Sequence, residues 1–364
     1  MNIALRKDVL ALGALGLAAA ALVTGLIVRS ARPGTSAVNA VPEDTFLAAS
    51  VDVWALAESP LGGALVGGDG GAGGGAASLL GMGDVQATCG FDPLAHLRSI
   101  AVAVPETKGD FGIAAAGDLG KDALASCARD LAQKHGGKPS SRAAGSFTVM
   151  TDDSAPGGAS LAVREGGPFL VGRGPWLDHM IDVVEGRAPS LASSAEHASL
   201  RADLRARDAD AEAVVVTAIL PSSLRARIRG EMATEGTPDA GDRTRPENRA
   251  ESSMDGVLGV ASAALALHAG RTSARDDTRV VAELRCDTDA ACAKVETLIL
   301  HQRLEWSGDF RLRLAGLGPL IDSLETSRPT PAVLVVRAHM PAADLAHLLA
   351  RYLSKAPPRP SHPR

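Results

Sequence analysis

Aromatic side chains are scarce in this chain of 364 residues, which has one tyrosine, three tryptophans and six phenylalanines. Proteins that bind single-stranded nucleic acid stack its bases on aromatic rings, so this composition argues against that class. The formal net charge of -5 is spread along the chain, leaving no basic stripe to follow a nucleic-acid backbone. A hydrophobic fraction of 46% allows a sizeable core, which must be built from Ala, Val and Leu. We therefore expect a folded protein without a nucleic-acid partner.

Local motifs for catalysis and cofactor binding are also missing. The sequence contains no Gly-Lys-Ser/Thr phosphate loop, no His-Glu-x-x-His and no Ser-x-x-Lys. Residues 68–73 match Gly-x-Gly-x-x-Gly, but they lie in a glycine tract that follows no strand. Asp208, Asp210 and Glu212 alternate as calcium ligands do, yet the glycine that such a loop requires is absent. We predict no catalytic residue, no metal ligand and no cofactor.

Cysteine occurs at four positions, Cys89, Cys127, Cys286 and Cys292. An even number indicates disulfide pairing, and pairing requires an oxidising compartment. The spacing favours Cys89 with Cys127 and Cys286 with Cys292, although other connectivities are possible. The alternative is four buried thiols in a cytosolic protein, because free cysteine packs as a small hydrophobe. We predict the two disulfides and an extracytoplasmic body.

Charged residues are absent from residues 9–28, a run of twenty bounded by Arg6, Lys7 and Arg29. A helix needs about 20 apolar residues to cross a hydrocarbon core of about 30 Å. We predict an uncleaved anchor that holds a single-pass protein in a bacterial inner membrane, with its body in the periplasm. The alternative is secretion after cleavage of a signal peptide near residues 38–40, a site that lies well beyond the apolar run.

Composition divides the chain into segments of different character. Glycine-rich and proline-rich stretches with little apolar content cannot offset the entropy of ordering, so they read as loops or disordered segments. We predict an anchor at residues 1–30, a stalk at 31–42, a first lobe at 43–190 with a glycine-rich loop at 62–83, a second lobe at 191–355 with a disordered insertion at 236–253, and a disordered tail at 356–364.

A small unit recurs along the chain. Residues 215–221 and 335–341 share the pattern Val-Val-x-Ala-x-(Leu/Met)-Pro, a strand that ends at a proline suited to the first turn of a helix. Strand pairs also precede the alanine-rich segments around Cys127 and Cys292, for which Asp122 and Asp287 would suit as N-caps. Strand-strand-helix units predict an α+β fold of two related lobes of antiparallel sheet, with helices packed on one face. A parallel topology is the alternative.

The histidines form no evident site. His179 and Asp182 lie three residues apart on a predicted helix and could pair, but a solvated helix face explains them better. His339 and His347 stand alone. Several arginines between residues 201 and 229 could meet anionic lipid or polymer, yet interleaved acidic residues favour an ordinary charged surface.

Residues 41–47, with the sequence VPEDTFL, lead into a predicted strand at residues 51–53. This segment resembles the start of a family of uncharacterised bacterial exported proteins, in which a Pro-x-Asp-Thr/Ala segment joins a single N-terminal anchor to the first strand. The resemblance implies a location in the cell envelope. It covers only this short segment, and no functional residue is carried over from it.

Two classes of function fit these observations. The first is a membrane-tethered module that binds or organises another envelope protein or a polymer without catalysis, which the missing catalytic motifs favour. The second is an exported hydrolase whose catalytic groups come from distant positions. A further alternative is a carrier that holds an apolar ligand in a cavity between the lobes.

Overall fold

The computed structural model describes residues 36–62, 83–91, 96–105, 110–208, 212–235, 256–269 and 277–353. The predicted anchor at residues 9–28, the insertion at 236–253 and the tail at 356–364 lie outside these ranges, as does the glycine-rich loop apart from its two end residues. Within the described ranges, no helix combines the length and the apolar character that a membrane span requires.

Among the described residues, twelve strands form one sheet in which every neighbouring pair is antiparallel. Its order is β11-β12-β10-β9-β8-β1-β2-β3-β7-β6-β5-β4. The predicted α+β class with antiparallel sheet is confirmed, and the parallel alternative is wrong. The strands are β1 Leu47–Asp52, β2 Leu97–Val104, β3 Gly112–Gly117, β4 Pro139–Ala144, β5 Phe147–Asp152, β6 Ala159–Val163, β7 Phe169–Arg173, β8 Glu212–Ile219, β9 Val260–Ala269, β10 Asp277–Cys286, β11 Glu325–Thr330 and β12 Val333–Pro341.

Helices connect and cover these strands. In the described ranges two short 3-10 helices, Ala37–Ala40 and Leu191–Ser193, accompany them. The α-helices are α1 Val53–Ala57, α2 Gly83–Cys89, α3 Lys121–Lys134, α4 Pro175–Val184, α5 Ala195–Arg207, α6 Ser222–Glu235, α7 Asp289–Gly308, α8 Phe310–Leu314, α9 Gly318–Asp322 and α10 Ala342–Leu353.

The two predicted lobes share this single sheet. Residues 43–190 contribute β1 to β7, and residues 191–355 contribute β8 to β12. The join is at β1, where Ser50 lies opposite Ala101 of β2 on one side and Val215 of β8 on the other. Because both edges of β1 are paired, neither lobe closes a sheet of its own.

Helices pack on both faces of the sheet, so the prediction of one covered face is wrong. On the face to which Ala48 of β1 points, α4 and α5 bury their apolar side chains. On the opposite face, which carries Val51 of the same strand, the sheet is covered by α1, α7 and α10. The physical reason is that β1 carries small, apolar, buried side chains on both faces, Ala48 on one and Ala49 and Val51 on the other, as in sheets that are buried on both sides.

The end of the predicted stalk belongs to the core. The 3-10 helix Ala37–Ala40 and Val41 pack with α4, and Ala37 and Val41 are fully buried. The amide of Ala37 donates to Ser99 Oγ at 3.0 Å, and the amide of Leu191 donates to the carbonyl oxygen of Val41 at 2.7 Å. Ala37, Val38, Ala40 and Val41 are therefore wrongly assigned to a stalk, because their small apolar side chains are buried in the core.

Two predicted helix caps are also corrected. Gly120 is the N-cap of α3, and Asp122 lies within its first turn. Thr288 caps α7, where its hydroxyl accepts a hydrogen bond from the amide of Ala291 at 3.2 Å, and Asp287 precedes this cap. Threonine at this position satisfies one of the unpaired amides of the first turn, as an aspartate would.

Candidate functional site

The four cysteines form the two predicted disulfides. Cys89 at the end of α2 is bonded to Cys127 of α3, with the Cα atoms 4.7 Å apart. Cys286, the last residue of β10, is bonded to Cys292 near the start of α7, with the Cα atoms 5.6 Å apart. The second bridge fixes the start of α7 against the end of a sheet strand.

A buried polar cluster that no sequence motif indicates lies beneath α5. His197 is fully buried, with Nδ1 2.8 Å from Thr217 Oγ1 and Nε2 3.0 Å from the carbonyl oxygen of Thr45. A carbonyl can only accept, so Nε2 carries the proton and the Thr217 hydroxyl donates to Nδ1. Burial lowers the pKa of His197, which keeps the ring neutral. This histidine joins α5 to the sheet, and no substrate can reach it.

Arg201 and Arg205 continue the same stripe of α5 at intervals of one turn. Arg201 Nη2 lies 3.4 Å from Ser50 Oγ, and its Nε atom is buried with no hydrogen-bond partner among the described residues. Burial, followed by the charge of Arg205, lowers the pKa of Arg201. Arg205 Nε in turn lies 3.2 Å from Glu212 Oε2. This stripe faces β1 and β8.

The other side of α5 is bound to β10 through charged groups. Glu283 of β10 is fully buried, and its carboxylate accepts from Arg207 at 2.6 Å and from Arg285 at 2.9 Å. Arg285 also lies 2.5 Å from Asp203 Oδ2 and donates to Ser199 Oγ at 3.0 Å. Several arginines of the segment 201–229 are therefore engaged inside the fold rather than displayed to a partner.

The predicted histidine candidates are not assembled into a site. Asp182 pairs with Arg187 at 2.5 Å instead of with His179. The nearest carboxylate oxygen to His179 Nδ1 is that of Asp44, at 3.8 Å, and the His179 ring meets Trp176 edge-on. His339 exchanges main-chain hydrogen bonds with the Ser323 hydroxyl. Its contacts therefore hold strand β12.

The described residues contain no group of three or more His, Cys, Asp or Glu that could hold a metal ion. In the calcium-like pattern, Asp208 lies 3.1 Å from Arg279 and Glu212 pairs with Arg205. Asp210 lies outside the described residues.

Large apolar side chains are exposed where α7 and α8 meet. Leu300 is 39% exposed, Leu304 72%, Trp306 42%, Phe310 70% and Leu314 63%. Leu300 and Leu304 are one turn apart on α7, and Phe310 and Leu314 are one turn apart on α8, so each pair shares a side of its helix. We name Leu300, Leu304, Phe310 and Leu314 the α7–α8 surface, because Trp306, two residues beyond Leu304, lies on another side of α7. Large apolar side chains exposed where two helices meet are typical of interaction sites.

The course of α7 explains this exposure. Its buried residues, Ala291, Cys292 and Val295, all lie in the first two turns, next to the disulfide and the sheet. A helix of 20 residues is about 30 Å long, so its second half extends well away from that attachment. No residue of α8 is buried, and this short helix packs against α7 and α9.

A cleft of about 290 Å³ adjoins the α7–α8 surface. It lies between the connection from α8 to α9 and the first two turns of α10, and its lining residues are Leu314, Ala315, Gly316, Pro319, Asp344, His347 and Leu348. Its volume is just below the range of about 300–1,000 Å³ typical of small-molecule sites. The cleft is suited to one side chain or a small group.

No protein-family model matches this chain. No curated protein matches it either. Crystal form I of TP0453 is similar to it with 8% identity and a TM-score of 0.44, over 88% of this chain and 100% of that chain. Crystal form III of the same protein has 9% identity and a TM-score of 0.44, over 88% of this chain and 99% of that chain. Crystal form IV has 10% identity and a TM-score of 0.43, over 86% of this chain and 96% of that chain. At these values the likeness supports no functional argument.

Proposed function

We propose that this chain is a membrane-tethered extracytoplasmic protein that binds or organises another component of the cell envelope without catalysing a reaction. In this proposal residues 1–30 anchor the chain in a bacterial inner membrane and the folded body lies in the periplasm. The observation that carries the proposal is the α7–α8 surface, since a protein gains nothing in stability from large apolar side chains left in water.

The two disulfides support the location. Cys89 with Cys127 and Cys286 with Cys292 use all four cysteines of the chain. Bridges of this kind persist in the periplasm and are rare in the cytosol, where thiols are kept reduced. The uncharged run at residues 9–28 supports a tether, because its length matches the hydrocarbon thickness of a bilayer.

The contacts of the buried polar side chains support a binding role rather than catalysis. His197 is enclosed in the core, and the Glu283 carboxylate is fully engaged by arginines. The accessible feature is instead apolar and lies on helices that extend away from the sheet. An exposed surface of several large side chains suits a macromolecular partner better than a small ligand, whose site would enclose it.

We also propose that the two lobes are related. In the first lobe, the hairpin of β2 and β3 is followed by α3 with its disulfide-bonded Cys127. In the second, the hairpin of β9 and β10 is followed by α7 with Cys292. The repeated order of hairpin, helix and disulfide supports a duplication.

Site-specific crosslinking tests the binding role. A photoreactive amino acid is placed at Leu304 or Phe310 of the full chain, and intact bacteria that carry it are irradiated. The matched control position is Val257, which is 41% exposed and outside the α7–α8 surface. We expect adducts of defined mass from positions 304 and 310 and none from 257. Absence of adducts at both test positions, or an equal yield at 257, would contradict the proposal.

A further inference from the structure

We infer that the α7–α8 surface docks onto the same surface of a second copy of this chain, with Phe310 of each copy entering the cleft beside α10 of the other. This inference rests on the proposed binding role of the surface and names its partner. Three features support it: the position of the cleft, the charges around it and the apolar area available.

The projecting side chain and the cleft lie side by side. Phe310 is 70% exposed, and Leu314, one turn further along α8, lines the cleft. Residues one turn apart are separated by about 5–6 Å at Cβ, so a two-fold axis close to α8 would bring each Phe310 opposite the cleft of the other copy. Such an interface uses the same patch on both subunits, as most symmetric dimers do. Leu314, Pro319 and Leu348 provide apolar contacts for the ring.

Two unpaired charges complement each other across this arrangement. Arg311 follows Phe310 directly, is exposed and has no ion-pair partner among the described residues. Asp344 lines the cleft and also has none among them. Insertion of Phe310 would therefore carry an unpaired guanidinium to an unpaired carboxylate, twice in each dimer.

The remaining charges near the surface favour a copy of itself over a charged polymer or lipid. The remaining basic residues, Arg303 and Arg313, are outnumbered by the acidic residues Glu305, Asp309 and Asp322. Arg313 already pairs with Asp322 at 2.9 Å. Anionic membranes and polyanions attract surfaces with a basic excess, which is absent here. A surface that carries charges of both signs can complement itself.

The apolar area is sufficient for a specific dimer. Leu300, Leu304, Phe310 and Leu314, which are 39–72% exposed, present on the order of 500 Å² in each copy, or about 1,000 Å² in two. That is close to the lower limit of specific interfaces, before the polar rim is added. Anchors in one membrane would also hold two copies in the same orientation and raise their effective concentration.

Charge reversal tests the inference. The full chain is purified in detergent micelles, and its association is measured by sedimentation velocity, with a dimer expected at about twice the chain mass of 37.1 kDa. Arg311→Asp places two carboxylates together at each contact, and Asp344→Arg places two cations together. We expect either variant alone to raise the dimer Kd on the order of 100-fold, because like charges face each other twice.

Mixing the two variants provides the decisive result. In a mixed dimer both contacts again join opposite charges, so we expect dimers that bind to within about tenfold of the wild-type Kd. Recovery on mixing also shows that both variants are folded. Arg142→Asp, on strand β4 at the other end of the sheet, controls for net charge and should leave the dimer unchanged.

Several outcomes overturn the inference: a wild-type chain that stays monomeric, variants that dimerise as well as the wild type, or a mixture that remains monomeric. These results are distinguishable from failure of the proposed binding role. Adducts of Phe310 with a different protein would leave that role standing and exclude the second copy. Absence of any adduct from positions 304 and 310 would remove both.

Discussion

The buried carboxylate of Glu283 provides a sharp test of what holds α5 on the sheet. Its side chain is fully buried and accepts from Arg207 at 2.6 Å and from Arg285 at 2.9 Å. Glu283→Ala removes the acceptor of both arginines. Arg285 keeps Asp203 at 2.5 Å, whereas Arg207, only 19% exposed, loses the one carboxylate it contacts among the described residues.

The size of the expected stability loss follows from the burial of this ion pair. Breaking a buried ion pair on one side typically costs about 3–5 kcal/mol, because a charge is left without compensation in a poorly solvated place. Arg207 retains some contact with water and Arg285 keeps a partner, so we expect the lower end, about 3 kcal/mol. The matched control is Asp178→Ala. Asp178 lies 2.6 Å from Arg142, the same distance, but both side chains are more than half exposed, and the expected loss is below about 1 kcal/mol.

Urea unfolding of the full chain in detergent, followed by circular dichroism, measures both losses. We expect a lower midpoint with an unchanged slope for Glu283→Ala and a nearly unchanged midpoint for Asp178→Ala. Equal losses of unfolding free energy for the two variants would refute the reasoning. The contribution of each ion pair would then depend on the distance between its atoms, which is the same in both, and not on its burial.

Two further predictions concern the buried histidine and the disulfides. Burial lowers the pKa of His197 in the folded state, so below about pH 6.5 the unfolded chain binds a proton that the folded chain excludes. The free energy of unfolding should therefore decrease on acidification from pH 7 to 5, and His197 should contribute up to about 1.4 kcal/mol per pH unit to this decrease. Urea unfolding of the His197→Asn variant over the same pH range should show a decrease that is smaller by this contribution. Removal of the Cys89–Cys127 bridge, which spans 38 residues, should lower the free energy of unfolding by about 4 kcal/mol. Removal of Cys286–Cys292, which spans six, should lower it by about 2 kcal/mol, because a shorter closed loop restricts the unfolded chain less. Paired Cys→Ser variants compared by thermal unfolding test this order, and a larger loss from the shorter loop would contradict it.

Local patterns in the sequence indicate several of the strands and favour the two disulfide pairings that form. The runs that form β6 and β7 are short, apolar and bounded by glycine pairs, so their positions follow from turn chemistry. The pairing of β1 with β8 is different. Ser50 and Val215 are 165 residues apart, and nothing in either segment specifies the other. Local sequence patterns therefore do not predict that both lobes share a single sheet, which is seen only in the tertiary structure.

The candidate site was beyond sequence reasoning for a related reason. In α7, apolar residues occur on all sides of the helix, so their spacing does not separate the buried Val295 from the exposed Leu304. What separates them is the distance from the disulfide at Cys292, where the helix is attached to the sheet. No local pattern indicates His197, because its two partners are a threonine hydroxyl 20 residues away and a carbonyl 152 residues away in the sequence.

The central claim is that the chain keeps its N-terminal tether and that its body is oxidised. The mass of the intact chain recovered from bacterial membranes tests this claim most directly. Free thiols are blocked with an alkylating reagent at lysis, without reductant, and the protein is weighed by mass spectrometry. We predict the mass of a chain that keeps residues 9–28, with no alkyl group and two disulfides. A mass that lacks the N-terminal segment, or four alkylated cysteines, would contradict the account.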